Sequence, residues 1–110
     1  MRNVPHPPSG QLDLSAILDA LADPIRRRIV LRLAAGDETA CGGFSDCAPK
    51  TNLSYHFAKL REAGLIKVRQ EGTQRFNSLR RKELEERFPG LLDSVIRAAE
   101  RENAPPGGEG

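Results

Sequence analysis

A run of polar and cationic side chains between residues 51 and 59 has the types and spacing needed to contact the bases and phosphates of a nucleic acid. Its members are Thr51, Asn52, Tyr55 and Lys59. At 100° per residue, the apolar residues Leu53, Phe57 and Leu60 fall on the other side of the same helix. An ordinary solvated helix mixes both charge signs on its exposed face, whereas this one has no acidic residue before Glu62. The pattern predicts a helix that lies in the major groove of DNA.

The residues after this helix predict a second basic element. Gly64 suits the left-handed position at which helices commonly end, and the chain from residue 65 to residue 79 alternates apolar with basic or polar side chains. Gly72 lies in the turn between two short strands, where it permits a positive φ. We therefore expect a basic hairpin beside the helix. The candidate DNA contacts on both elements are Lys50, Thr51, Asn52, Tyr55, His56, Lys59, Arg61, Arg69 and Arg75.

Positive charge is concentrated on this segment. The whole chain has a net charge of +2, but residues 50 to 82 hold nine basic and two acidic residues. Such residues neutralise phosphates and release counterions, so binding should weaken steeply with salt. A solvated basic surface is the weaker alternative, because the charge coincides with the helix and the hairpin. Asn52 or Lys59 is expected to read base edges. The other Lys and Arg candidates would hold phosphates or a minor groove, and His56 would pack or contact a phosphate.

Two helices are predicted before the basic segment. The first covers the leucine-rich residues 12–21. The second begins with Asp23 as its N-cap and Pro24 in its first turn. Arg27 and Arg28 point away from its apolar face, where they contact phosphates or serve as surface charges or partners in a dimer. A further short helix is expected at residues 78–88, ending at the Pro89-Gly90 break.

The last predicted helix carries an apolar stripe that is wide enough to pack against another helix. Because the three central helices already supply the core of so small a domain, we assign this stripe, together with the first helix, to a two-fold dimer interface. The alternative is that the stripe covers its own domain. The expected interface residues are Leu14, Ile17, Leu18, Leu91, Leu92, Val95 and Ile96.

Proline and glycine at both ends of the chain indicate tails. We expect a disordered tail at residues 1–11, a DNA-binding and dimerisation domain at 12–102, and a second disordered tail at 103–110. Residues 37–49 should support the groove-binding helix, but Gly42-Gly43 and Pro49 argue against a long regular helix there. Either a short helical turn forms around residues 44–47 or the support is an irregular loop.

Cys41 and Cys47 are the only thiols in the chain. With so few nearby histidines they cannot complete a closed tetrahedral zinc site, so neither a metal nor a cofactor is predicted. Three interpretations remain open. The cysteines are small loop residues, or a disulfide between them reshapes the support of the groove-binding helix, or thiolates from two subunits capture a soft ion.

Other functional classes are disfavoured. The chain has no nucleophile paired with a base, no paired carboxylates and no glycine-rich phosphate loop, so we do not expect an enzyme. It has no run of 18 apolar residues, and no hydrophobic stretch follows Arg2. We therefore expect neither a membrane contact nor a secretory signal, and a cytoplasmic location with reduced thiols.

Several short motifs, in their order and spacing, resemble a known family. Residues 21–33 (LADPIRRRIVLRL), 53–57 (LSYHF) and 60–66 (LREAGLI), followed by the Gly72 hairpin, are similar to the ArsR/SmtB-type winged-helix transcriptional regulators. The resemblance extends over about residues 12–101. It implies a small cytoplasmic homodimer that binds an operator and usually represses, and in many relatives an inducer, often a metal or metalloid ion, releases the DNA. Metal-sensing relatives carry Cys-x-Cys on the supporting helix or Asp, His and Glu on the last helix, and this chain has neither.

We therefore expect a mainly α fold with a small β-hairpin wing, a winged helix-turn-helix that dimerises through its first and last helices. The predicted function is sequence-specific transcriptional regulation, as a homodimeric repressor on double-stranded operator DNA that an unidentified effector or thiol oxidation would release. The alternative is a winged-helix protein-interaction module. Such a module would not need the positive charge on the helix and hairpin, and its binding would survive high salt.

Overall fold

Five helices and three strands make up the described part of the chain, residues 6–36, 39–40 and 50–103 of a computed structural model. In chain order they are α1 (Leu14–Leu21), α2 (Pro24–Ala34), β1 (Thr39–Ala40), α3 (Lys50–Ala63), β2 (Ile66–Glu71), β3 (Gln74–Leu79), α4 (Arg81–Arg87) and α5 (Leu91–Glu102). The mainly helical fold with a β-hairpin wing is confirmed.

Aspartate side chains cap the first two helices. The Asp13 carboxylate accepts a hydrogen bond from the backbone N–H of Ala16 at 2.9 Å, so α1 begins at Leu14, two residues later than predicted. Asp23 caps α2 by accepting from the N–H groups of Ile25 at 2.8 Å and Arg26 at 3.2 Å. These bonds satisfy donors that a helix N-terminus otherwise leaves unpaired. The predicted start of α2 is confirmed.

The Asp23 cap should make stability depend on pH. Partial burial tends to raise the pKa of this carboxyl, but the hydrogen bonds from Arg26 and Ile25 outweigh it and hold the pKa below 3.8, its ordinary value. A group whose pKa is lower in the folded state than in the unfolded state stabilises the fold at pH values above its unfolded-state pKa. This stabilisation is lost as the pH falls through the folded-state pKa. Asp23→Ala should therefore lower the free energy of unfolding by about 1 kcal/mol at pH 7 and by less near pH 2, as measured by urea unfolding.

Asp23→Asn is the matched control for this experiment, because asparagine caps helices about as well as aspartate but does not titrate. It should retain most of the stability at pH 7 and lose less on acidification than the parent chain. Equal acid sensitivity of the two proteins would contradict the assignment of this linkage to Asp23.

Gly64 ends α3 in the way the sequence predicts. Its φ is +91°, its N–H donates to the Arg61 carbonyl, and the N–H of Leu65 donates to the Leu60 carbonyl, each at 3.0 Å. This pair of bonds is the Schellman motif, which favours glycine at the left-handed position. A Cβ at Gly64 would also collide with the Leu12 side chain. The turn therefore fixes where β2 leaves α3.

The three strands form an antiparallel sheet in the order β1-β3-β2. Within the wing, Glu71 pairs with Gln74, so the loop is Gly72-Thr73, and Gly72 has a φ of +61°. Strand β1 was not predicted as a strand; it pairs with β3 at residues 76–77. The helix predicted at 78–88 begins only at Arg81, because Leu79 still pairs with Ile66 in the sheet. The predicted break before α5 is confirmed.

The core lies where α1, α2, α3 and the base of the wing meet. Its fully buried large side chains come from these elements and the turn after α3, and include Ile17, Ile29, Leu33, Leu60, Leu65 and Ile66. Burial of an aliphatic side chain of this size contributes about 1.5–3 kcal/mol. Helix α3 packs against this core with one face, and its other face remains exposed.

Residues 6–11, which we expected in a disordered tail, instead pack along the wing and α4. The backbone N–H of Val68 donates to His6 Nε2 at 2.9 Å, and the buried Arg80 guanidinium donates to the Pro7 carbonyl at 2.8 Å. A 3₁₀ turn, Ser9–Gln11, follows. The proline content suggested disorder, but these long-range partners give the segment hydrogen bonds that local sequence does not indicate.

None of the helices in the described ranges has the length and apolar character that crossing a membrane requires.

Candidate nucleic-acid interface

Helix α3 presents two unlike faces, as predicted. Leu53, Phe57 and Leu60 are buried against the core, whereas Asn52 is exposed and the Tyr55 side chain is 59% exposed. Lys59 lies one turn after Tyr55 and is partly exposed. A face with amide, hydroxyl and ammonium groups offers donors and acceptors that match base edges. Lys50 and Thr51 form the first turn of this helix, and their side chains lie outside the described part.

Tyr55 and Lys59 are arranged as a pair. The Lys59 Nζ lies 6.0 Å from the centroid of the Tyr55 ring, at the outer limit of a cation–π contact. Residues four apart in a helix are neighbours on one face, so the contact follows from their spacing. The aromatic ring and the ammonium group therefore lie side by side on the same face of α3.

The wing carries basic side chains of its own. The Arg69 guanidinium stacks on the Phe76 ring at 4.7 Å and forms an ion pair with Glu71 at 2.8 Å. Arg75 and Lys67 are exposed. Stacking on an aromatic ring restricts the arginine while leaving donors for phosphate. Glu71, however, competes with any phosphate for Arg69.

This competition leads to a prediction for Glu71→Gln. The substitution removes the rival anion and one repulsion with the DNA backbone, so DNA affinity should rise by up to about fivefold at low salt, corresponding to the 0.2–1 kcal/mol of an exposed ion pair. Fluorescence anisotropy with labelled duplex measures the change. Glu86→Gln, at an exposed position of α4, is the control and should have a smaller effect. Equal effects of both substitutions would mean that only overall charge matters.

His56 does not belong to the exposed face, which corrects its inclusion among the DNA contacts. The side chain is 7% exposed, and its Nδ1 lies 3.3 Å from Nη1 of Arg26. His56 follows Tyr55 directly, and the 100° rotation per residue takes it from the outer face to the side that meets α1 and α2. A buried imidazole cannot reach a phosphate.

Arg61 is partly buried in the last turn of α3. Its Nε is buried and has no hydrogen-bond partner among the residues that the structure describes. A phosphate contact by this residue stays a prediction, as do those of Lys50, Arg69 and Arg75.

Arg26 is a residue that the sequence analysis missed. It is 7% exposed, and its Nε donates to the Ala20 carbonyl at 2.6 Å. The sequence contained one indication that Arg26 is buried. It lies at the N-terminal end of a row of buried residues on the same face of α2, Ile29, Val30 and Leu33. A cation at the head of an apolar stripe indicates a buried guanidinium when carbonyl groups lie nearby, and the end of α1 supplies them.

The predicted dimer surface divides into two groups. Ile17 is fully buried and Leu92 is 6% exposed within the single chain, so both belong to its own core, and their assignment to an interface is wrong. The other five residues retain exposed surface. Leu14 is 42% and Leu18 is 48% exposed, whereas the partly buried members are Leu91, Val95 and Ile96.

An open groove of about 410 Å³ separates α1 from α5, with Leu18, Val95 and Ala98 among its lining residues. At its end, Arg27 forms two hydrogen bonds with Glu102, at 2.9 Å and 2.6 Å. The contact with Arg27 lowers the pKa of the Glu102 carboxyl. It ties α2 to the last turn of α5 within one chain, so Arg27 has a carboxylate partner before any DNA is bound.

Cys41 and Cys47 lie outside the described residues. Within the ranges that the structure covers, no three His, Cys, Asp or Glu side chains are grouped as a metal site would require.

A helix with one exposed polar and cationic face, followed by a basic antiparallel hairpin, defines a winged helix-turn-helix DNA-binding domain. A family described as "Helix-turn-helix domain" matches residues 21–69. The chain is 37% identical over 82 residues to the uncharacterised HTH-type transcriptional regulator YceK of Bacillus subtilis strain 168, covering 72% of this chain and 82% of that protein. The chain belongs to the ArsR/SmtB-type helix-turn-helix transcriptional regulators.

Solved structures agree with this fold. HlyU from Vibrio cholerae N16961 superposes with a TM-score of 0.63 at 27% identity, covering 76% of this chain and 88% of HlyU. An ArsR family transcriptional regulator superposes with a TM-score of 0.61, covering 84% of this chain and 98% of that one. At 20% identity, the second match concerns the fold alone. The protein is a DNA-binding transcriptional regulator.

Proposed function

We propose that the protein is a homodimeric repressor that reads a double-stranded operator with α3 in the major groove and the wing beside it. The observation that carries the proposal is the exposed face of α3, where Asn52, Tyr55 and Lys59 lie opposite the buried apolar side. The amide and ammonium groups match base edges. Arg69 and Arg75 on the wing would contact phosphates and fix the orientation on the duplex.

Dimerisation is proposed to occur through the exposed parts of α1 and α5. Leu14 and Leu18 are large apolar side chains with about half of their surface exposed, and Val95 lines the same groove as Leu18. A two-fold contact would bury this surface and place two α3 helices for successive major grooves of a palindromic site.

Repression follows from occupancy, because a dimer seated on an operator obstructs transcription without any further activity. We place the protein in the cytoplasm, with double-stranded operator DNA as its partner and no cofactor. Release by an effector or by oxidation of Cys41 and Cys47 is proposed from the sequence alone, because these thiols lie beyond the described residues.

The test is fluorescence anisotropy of the purified protein on its own upstream intergenic DNA and on a scrambled duplex, across a salt series. We expect the protein to prefer the intergenic DNA. The logarithm of its association constant should fall linearly with the logarithm of the salt concentration, with a slope of about −0.9 for each phosphate neutralised. Equal affinity for both duplexes would contradict sequence-specific reading by α3, and affinity that is insensitive to salt would favour a protein-interaction module.

The same titration in reductant and in mild oxidant tests the thiols. Loss of binding on oxidation, prevented by Cys41→Ser or Cys47→Ser, would support redox release. Binding that is unaffected by oxidant would exclude it and leave a diffusible effector to be sought.

A further inference from the structure

One buried guanidinium connects three helices. Arg26 lies in the first turn of α2; its Nε donates to the Ala20 carbonyl at 2.6 Å and its Nη2 to the Asp19 carbonyl at 3.4 Å. Both carbonyls belong to the last turn of α1, where a helix leaves carbonyl acceptors open to further partners; the Asp19 carbonyl also accepts the N–H of Ala22 at 3.2 Å. On its other side, Nη1 lies 3.3 Å from Nδ1 of His56 on α3.

The chemistry of this contact sets the direction of the hydrogen bond. A guanidinium only donates, so Nδ1 of His56 is the acceptor. The planar fork of Arg26 holds its donors in a fixed geometry. The distance and direction from the end of α1 to the His56 ring are therefore set by a single rigid group.

His56 also contacts a residue on the exposed face of α3. The His56 and Tyr55 rings meet edge-to-face, with centroids 5.4 Å apart and planes inclined by 67°. This is the geometry that aromatic pairs prefer. Tyr55 in turn lies beneath the Lys59 ammonium. The buried ring thus stands between the guanidinium and the outward-facing tyrosine.

We propose that Arg26, acting through His56, is a positioning residue that sets the Tyr55 ring and the rotation of α3 for base contact. This inference rests on the proposed function of α3 as the groove-reading helix. Stability alone does not require such a group, since replacing buried charged or polar groups by apolar residues of similar size is often neutral or stabilising. A buried donor–acceptor contact with fixed directions, by contrast, specifies one arrangement of the helices that meet at it.

The contrast between His56→Asn and His56→Gln tests the proposal. The asparagine oxygen lies near the place of Nδ1 and can accept from Arg26, whereas the longer glutamine side chain carries its oxygen toward the place of Nε2. Asparagine is the smaller of the two, so a simple loss of packing would impair His56→Asn more than His56→Gln, the opposite of the order that positioning predicts. His56→Leu, which fills much of the same volume without an acceptor, and Arg28→Gln, an exposed cation two residues from Arg26 on α2, complete the set.

Two readouts distinguish positioning from folding. The first is the ratio of operator affinity to scrambled-duplex affinity, because phosphate contacts support both duplexes and base contacts only one. We expect His56→Gln and His56→Leu to lower this ratio about tenfold, the discrimination carried by one base contact. His56→Asn and Arg28→Gln should retain it. Thermal unfolding of each variant identifies any that fail to fold.

The second readout needs no DNA. Tyr55 is the only tyrosine and the chain has no tryptophan, so tyrosine fluorescence anisotropy and the near-ultraviolet circular dichroism of the tyrosine band report on this ring alone. Both signals should fall in His56→Gln and His56→Leu and persist in His56→Asn. If the wild-type protein failed to prefer its operator, the proposed function would fail, while the tyrosine signals would still test the positioning.

Equal ratios and equal tyrosine signals in the asparagine and glutamine variants would overturn the proposal. A leucine variant that retained both the ratio and the signals would also overturn it, since the acceptor would then be dispensable.

Discussion

Replacing Tyr55 and Lys59 together with alanine is expected to abolish operator preference while the domain stays folded. Tyr55 is 59% exposed and its neighbour Lys59 is partly exposed, so truncation removes little buried surface. A good base contact discriminates by about 1–3 kcal/mol. Loss of both side chains should therefore weaken operator binding by roughly 100-fold or more, with a much smaller effect on a scrambled duplex, both measured by fluorescence anisotropy.

Lys82→Ala is the control for the double substitution, because it removes an exposed lysine from α4 without touching α3 or the wing. It should lower the affinity for both duplexes to a similar, small extent. Unchanged operator affinity in the double variant would remove α3 from the role of groove-reading helix, and a collapse of thermal stability would show that the two side chains support the fold.

Leu18→Glu is expected to convert the dimer into a folded monomer. In the free chain Leu18 is 48% exposed, so a carboxylate there stays solvated and costs little. In a dimer through α1 and α5 the same carboxylate would be buried without a partner, which is strongly unfavourable. Sedimentation should give the monomer mass, and operator affinity should fall by roughly 100-fold or more, because the second half-site no longer binds intramolecularly.

Ala16→Glu provides a comparison on the same helix, since this exposed residue points away from Leu18. It should leave both mass and affinity unchanged. A Leu18→Glu protein that sedimented as a dimer would place the interface elsewhere. A wild-type protein that was monomeric at all concentrations would contradict the dimer proposal itself.

Local signals in the sequence predicted much of the fold. The Asp23 cap, the Gly64 stop and the Gly72 turn each depend on a few neighbouring residues and on backbone preferences that those residues carry with them. The two faces of α3 followed from helical spacing, and the structure confirms them. Strand β1 was missed because two residues give no alternation to detect, and its formation depends on pairing with β3.

The errors at the site have a common physical origin in tertiary packing. Ile17 and Leu92 belong to apolar stripes, but a stripe does not tell which of its members meets the core of its own chain and which remains exposed. His56 is adjacent to Tyr55, and only the position of Arg26 and of the α1 carbonyls determines that the imidazole is enclosed. Such contacts join residues up to 30 positions apart, beyond the reach of local patterns.

The hydrogen bond from Val68 to His6 has a consequence for association between molecules. Strand β2 is an edge strand of the described sheet, and an edge with free N–H groups can recruit a strand from another chain and begin aggregation. The His6 imidazole occupies one of these donors at 2.9 Å. Residues 6–11 therefore leave the outer edge of the wing with one donor fewer to offer to a strand of a neighbouring molecule.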